Sequence, residues 1–322
     1  MVSVERVCAF GSLPSEAPTS TDSDAIHKSW PKAPSISIDG LTVRYRESLP
    51  PALSGVTITI APGQRIGIVG RYVWKRCTIF PVTFLFVGAI QSILGNSNFG
   101  SFHLRTGSGK STLVQALFRL LEADEGAVYI DGVDISTLGL HKLRSAMSVI
   151  PQTPVLFRGC SVRENLDPFS SFSNDQIWKV LDDVEMTNVV KDLAGGLHAV
   201  VSEGGSNFSV GQRQLLCLAR ALLSENSILI LDEASANVDS KTEASLSNTL
   251  SNNFPDATVI AIAHRLDTVK DFDCIIVLGD GMVLEYGSPE DLLKLKNGHY
   301  ASLVGSQRYF DDVLPSTTYD RG

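Results

Sequence analysis

From Ile36 onward apolar and polar positions alternate: Ile36, Ile38, Leu41, Val43 and Tyr45, then Val56, Ile58 and Ile60. A period of two predicts half-buried strands of an antiparallel sheet. The pattern changes at 66–69, where Ile-Gly-Ile-Val runs without a polar break, as in parallel strands covered on both faces. Similar runs at 148–150, 228–231 and 258–263 predict further strands of that kind. Leu113, Leu117, Leu120 and Leu121 recur at helical spacing and predict a helix over 111–121. A second helix is expected near 212–223, and Asp131-Gly132 and Gly279-Asp280-Gly281 mark turns. Residues 153–205 are polar and helix-leaning, with Trp178 and Leu181 among their apolar positions. Strands alternating with helices imply an α/β fold. Its expected parts are a parallel-sheet core, an antiparallel β subdomain and an α-helical subdomain spanning about 153–221. Residues 1–33, rich in Ser, Pro and acidic residues, read as a linker; 307–322 read as a loose polar tail.

Composition narrows the class. A chain of 322 residues has room for one large domain or two modest ones. The net charge of −8, with no broad basic stripe, argues against nucleic acid as a partner. The five cysteines lie far apart and form no C-x-x-C. That excludes a disulfide framework and a zinc site, and it fits a reducing compartment. The first ten residues contain Glu5 and Arg6 and lack the apolar run of a secretory leader.

The chemistry starts at Thr106-Gly-Ser-Gly-Lys-Ser-Thr112, the second half of a phosphate-binding loop. Its first half, ending in Gly70-Arg71, stands 34 residues upstream. As written, the position five before Gly109 is Leu104 and the pattern G-x-x-x-x-G-K-S fails; without residues 72–105 it is complete. Glycines suit a loop whose backbone N–H groups face phosphate oxygens. Gly70, Gly107, Ser108, Gly109, Lys110, Ser111 and Thr112 are therefore the candidate phosphate site. Lys110 would meet the β- and γ-phosphates and Ser111 would offer its hydroxyl to Mg²⁺, with a helix N-terminus behind both. The strand at 228–231 ends in Asp232 and Glu233. The first would hold Mg²⁺ through water, and the second would orient and deprotonate the attacking water. An acidic pair after a strand is alone usually the start of a loop; its companion motifs give it weight. Ser209 and Gly211 open the third element and could present a hydroxyl and bare N–H groups to a second anion. A plain capped helix burying Leu215, Leu216 and Ala219 would read the same way.

With the three elements in this order, the chain resembles the ATP-binding cassette of ABC transporters. In detail it resembles the second nucleotide-binding domain of the C-subfamily, the multidrug-resistance-associated group. Phe208-Ser-Val-Gly-Gln-Arg-Gln-Leu-Leu-Cys-Leu-Ala-Arg-Ala-Leu222 carries the likeness, where many other cassettes have Leu-Ser-Gly-Gly-Gln. Ser3-Val-Glu-Arg6 and Leu13-Pro-Ser-Glu-Ala17 resemble the linker from the last membrane helix. The resemblance covers about residues 3–306 and implies an ATPase that uses ATP and Mg²⁺ on the cytoplasmic face of a membrane. Its partners would be transmembrane domains and a second cassette. It assigns Tyr45 to stacking on adenine, although a strand tyrosine facing a core reads equally well. Gln152 matches a residue touching Mg²⁺, Asp239 the loop crossing to the partner cassette, and His264 a contact to the γ-phosphate. Two cassettes of this kind close head to tail, so Ser209, Gly211 and Gln212 would serve the partner's nucleotide.

Residues 72–105 are the anomaly. Within them 77–94 form an apolar run that would span about 27 Å as a helix. A single crossing would leave Gly70 and Gly107 about 30 Å apart, whereas one phosphate group requires them together. A working cassette and a single span exclude each other. The 34 residues correspond to an in-frame 102 nucleotides. Arg71-Tyr72-Val73 can be encoded as AGG-TAT-GTN, holding the start of a fungal-type intron, and Arg105 can supply the closing AG. The segment therefore reads as a retained intron, with a real splice variant or a genuine insertion as the other readings. The alternative expectation is an inert cassette-like fragment whose phosphate loop the insertion disrupts.

Overall fold

The computed structural model describes residues 15–70, 108–232, 240–263 and 265–313, with only the backbone described at 240–246 and 307–313. An antiparallel sheet in the order β2-β1-β4-β5 contains β1 (Ile36–Val43), β2 (Leu53–Ile60), β4 (Glu125–Ile130) and β5 (Val133–Asp134). A second sheet contains β3 (Arg65–Gly70), β6 (Met147–Ile150), β7 (Ile228–Asp232), β8 (Thr258–Ile262), β9 (Cys274–Gly279) and β10 (Met282–Gly287). Its order is β10-β9-β3-β8-β7-β6, parallel except for the β9–β10 hairpin. The predicted turns close two hairpins. Asp131 and Gly132 have φ of 51° and 73°, and Asp280 and Gly281 have 50° and 79°. Two successive positive φ values match the right-handed twist of the flanking strands.

The continuous apolar runs have a simple cause: each central strand faces two cores. Ile66, Ile68, Ile228, Ile230, Ile260, Ile262, Ile276 and Leu278 pack with the antiparallel sheet. Val69, Leu229, Leu231, Val259, Ala261, Ile275 and Val277 pack on the other side with the helical part. Successive side chains point to opposite faces, so a strand buried on both cannot alternate in hydropathy. Three layers result.

Helix α1 (Asp22–Ile26) precedes the sheets, and α2 (Lys110–Leu117) and α3 (Leu140–Ser145) flank the antiparallel one. The helical part carries α4 (Val162–Leu166), α5 (Asn174–Asp183), α6 (Thr187–Lys191) and α7 (Val210–Ser224). After it come α8 (Ser240–Asn253), α9 (Pro289–Lys294) and α10 (His299–Val313). Helix α2 stops before Leu120, which is 59% exposed. Arg119 turns left-handed at φ 49°, and its guanidinium donates to the carbonyls of Ile135, Ser136 and Leu138 at 3.0, 3.1 and 2.9 Å. Arg144 caps the same end by donating to the carbonyls of Phe118 and Arg119, each at 3.1 Å. Arginines here do what the leucine spacing could not indicate.

Residues 15–33, expected to be linker, are tied to the domain by polar bonds. Gly139 N donates to Asp24 Oδ1 at 3.0 Å, and Thr21 Oγ1 donates to the carbonyl of Thr137 at 2.9 Å. Lys142 reaches the carbonyls of Asp24 and His27, and Trp30 Nε1 donates to the carbonyl of Ile130 at 2.8 Å. At the other end, α10 continues to Val313, into the stretch expected to be loose.

Gly67 lies where β3 is crowded. A Cβ there would sit 2.8 Å from both Val269 Cβ and Ile275 Cδ1. Gly67→Ala should therefore lower stability by about 1–3 kcal/mol through overpacking, read as a lower denaturant midpoint.

Candidate functional site

Four neighbouring parallel strands, β3, β8, β7 and β6, end on one edge, and each ends at or just before a candidate residue. Gly70 closes β3 and Asp232 closes β7. Gln152 follows β6 by two residues, exposed, and Ala263 follows β8 with its N–H on the carbonyl of Ile68 at 3.1 Å. The carboxyl edge of a parallel sheet is where open α/β folds bind ligands.

The phosphate-loop halves meet on this edge. A Cβ built on Gly70 would lie 2.6 Å from Ser108 Cβ and nearer still to its Oγ. The two residues are therefore in contact across the 37 positions that separate them in sequence. Gly109 follows at φ 96°, a conformation favouring glycine. A Cβ there would press on Leu53 Cδ2 at 2.7 Å and the carbonyl of Ala52 at 3.2 Å. Lys110 opens α2 and is 7% exposed, with Nζ donating to the carbonyl of Ala263 at 3.4 Å. Its charge is thus carried from one strand end to another. Among the described residues no side chain caps α2, whose first N–H groups and positive end lie at the sheet edge. Ser111 is exposed in the first turn, and buried Thr112 shares a 3.0 Å hydrogen bond with the hydroxyl of Tyr45. Tyr45 is 50% exposed, which removes the reading of a tyrosine facing a core.

This arrangement fits a phosphate group: a glycine cradle, a buried lysine and an uncapped helix N-terminus converge. The oxygen donors Ser111, Gln152 and Asp232 suit a hard cation such as Mg²⁺. Among the described residues no group of three or more His, Cys, Asp or Glu could hold a metal alone. Mg²⁺ is commonly bound through one or two protein ligands together with phosphate oxygens and waters. Gly107, Glu233, Asp239 and His264 lie outside the described residues.

Ser209, Gly211 and Gln212 open α7. Ser209 Oγ accepts from Gln212 N at 3.1 Å, and Gln212 Oε1 accepts from Ser209 N at 2.9 Å, a reciprocal capping box. The cap uses the hydroxyl as acceptor and leaves its O–H as a donor. Leu215, Leu216 and Ala219 are buried, so the helix is both a packed element and a presented N-terminus.

Sequence reasoning missed the inner face of α7. Gln214, 1% exposed, donates through Nε2 to the carbonyl of Pro151 at 3.1 Å. Arg220 donates to the carbonyl of Asn165 at 2.6 Å, to Asn165 Oδ1 at 3.0 Å and to the carbonyl of Val155 at 2.7 Å. Burial lowers the pKa of this guanidinium, and burial raises that of the neighbouring Cys217 thiol. The available signal was helical spacing: Gln214 shares a face with Leu218 and Ala221, and a polar residue there needs a partner.

The family profile described as "ABC transporter" matches residues 105–236. ABC transporter C family member 8 of Dictyostelium discoideum is 44% identical over 94% of this chain, which covers 17% of that protein. ATP-binding cassette sub-family C member 2 of Rattus norvegicus is 40% identical over 93% of this chain, which again covers 17%. The chain thus spans about a sixth of these curated relatives. A solved structure described as a bacterial Atm1-family ABC exporter with ATP bound superposes with a TM-score of 0.71 at 29% identity. That match covers 86% of this chain and 42% of the exporter chain.

The capping box makes a prediction independent of any ligand. Ser209→Ala should cost about 1 kcal/mol of stability while Ser209→Asp retains most of it, measured by chemical denaturation.

Proposed function

The chain belongs to the ABC transporter family, and from that premise we propose that it is an ATP-binding and ATP-hydrolysing nucleotide-binding domain of a C-subfamily exporter. One observation carries the reading: four adjacent parallel strands deliver a glycine turn, a lysine contact, a carboxylate and a glutamine to one edge. In this reading Gly70, Gly107, Ser108 and Gly109 serve the phosphates through their backbone N–H groups. Lys110 neutralises charge developing on the β- and γ-phosphoryl oxygens, and Thr112 steadies Tyr45 against the adenine ring. Ser111, Gln152 and Asp232 would hold Mg²⁺, which when bound would neutralise phosphate charge. Glu233 orients the attacking water and takes its proton, and His264 contacts the γ-phosphate. Ser209, Gly211 and Gln212 complete the site of a second cassette, toward which Asp239 crosses.

The working partners are that second cassette and transmembrane domains, which place the site on the cytoplasmic side of a membrane. Among the described residues no helix is long and apolar enough to cross a bilayer. The contact between Gly70 and Ser108 supports reading 72–105 as foreign to the loop, and we propose a retained intron as its source. A specific feature favours the inert reading instead: the loop is interrupted at the position where its N–H directions matter most.

Mg-ATP titration and steady-state hydrolysis, on the full chain and on one lacking 72–105, test both readings. The shortened chain should bind saturably and turn over ATP. Lys110→Ala should lose binding at least tenfold, and Glu233→Gln should keep binding while turnover falls about 10²-fold or more. No saturable binding by the shortened chain would end the ATPase reading. Equal activity of both chains would end the inert one.

A further inference from the structure

The bonds from α7 bracket a short segment. Gln214 holds the carbonyl of Pro151, immediately before Gln152, and Arg220 holds the carbonyl of Val155, three residues after it. Asn165, 2% exposed, closes the ring: its Oδ1 accepts from Phe157 N at 2.7 Å, and its Nδ2 donates to the carbonyls of Phe157 and Ser161, each at 3.0 Å. Arg220 also lies over the Phe157 ring, 5.6 Å from its centroid. Four main-chain carbonyls and one amide on either side of Gln152 are thus fixed by three side chains, two of them on one rigid helix. The grip is stiff because it is multiple: Gln214 and Asn165 are buried and lose a partner at full cost, while the Arg220 bond to Val155 lies at the surface and adds a further tie to the same segment.

We propose that Gln214 and Arg220 are positioning residues: they hold 151–155 against α7 so that Gln152 moves with the N-terminus of that helix. This rests on the function proposed above and adds a route between two sites. Ser209, Gly211 and Gln212 face the partner's nucleotide, whereas Gln152 faces the chain's own. Gln214 stands two residues from Gln212 on the same helix, so displacing the helix N-terminus displaces the anchor of Gln152. Occupation of one nucleotide site is thereby felt at the other without any bond crossing the interface. The coupling element is a helix gripping a loop, a discrete contact that can be broken by one side chain.

Gln214→Met keeps length and helix propensity but removes the donor; Arg220→Lys keeps charge but cannot span both carbonyls. Each is compared with its parent chain by hydrogen exchange, thermal unfolding and steady-state ATP hydrolysis. Exchange at 153–158 should quicken roughly tenfold in the folded variants, while β7 and β8 stay unchanged. The kcat should fall roughly tenfold with KM held within about twofold, because the phosphate loop is untouched. A purely structural role would lower the unfolding temperature and leave kcat per folded molecule unaltered, and that result overturns the proposal. Unchanged exchange at 153–158 in both variants overturns it as well. A parent that hydrolyses no ATP removes the ATPase reading instead, and the exchange comparison then decides whether the grip exists.

Discussion

Gly70 and Ser108 leave no room between them for a methyl group. Gly70 ends β3 and Ser108 stands two residues ahead of α2, so strand end and helix start are brought together. Closing a flexible loop of this length costs about 3 kcal/mol plus a constant, a sum a large domain can absorb. The harder demand is directional: β3, the turn and α2 must keep the alignment that sets the helix's positive end over the sheet edge. Arg119 and Arg144 hold α2 from its far end, and the carbonyl of Ala263 holds Lys110 near its start. Both ends of α2 are thus fixed by contacts outside the loop.

The two-faced central sheet explains why the site has the location it has. Both faces are consumed by packing, one against the antiparallel sheet and α2, the other against the helical part. Only strand ends remain for chemistry. Parallel pairing gathers β3, β8, β7 and β6 with their carboxyl ends on the same side, so residues more than 150 positions apart become neighbours.

Much of this was legible from residues. Uninterrupted apolar runs marked the doubly covered strands, Asp-Gly pairs marked the hairpins, and Ser-Val-Gly-Gln marked the start of α7. What stayed hidden was polar. Arg119, Arg144, Asn165, Gln214 and Arg220 act on main-chain carbonyls and amides, and a carbonyl has no letter in a sequence. Residues 15–33 escaped for a related reason. Asp24 and Lys142 dock them through hydrogen bonds, leaving no hydrophobic period to read. Strand order was equally opaque, since β3 lies between β8 and β9 through contacts some 200 positions away.

The docked segment at 15–27 has a mechanical consequence. Asp24 grips Gly139, Glu16 pairs with Arg144, and Arg144 in turn grips the carbonyls that end α2. Tension applied along the polypeptide ahead of Glu16 would load the rear mounting of the lysine-bearing helix before it strained any strand. The domain thus has a handle, and it is bolted to the part of the frame that carries Lys110.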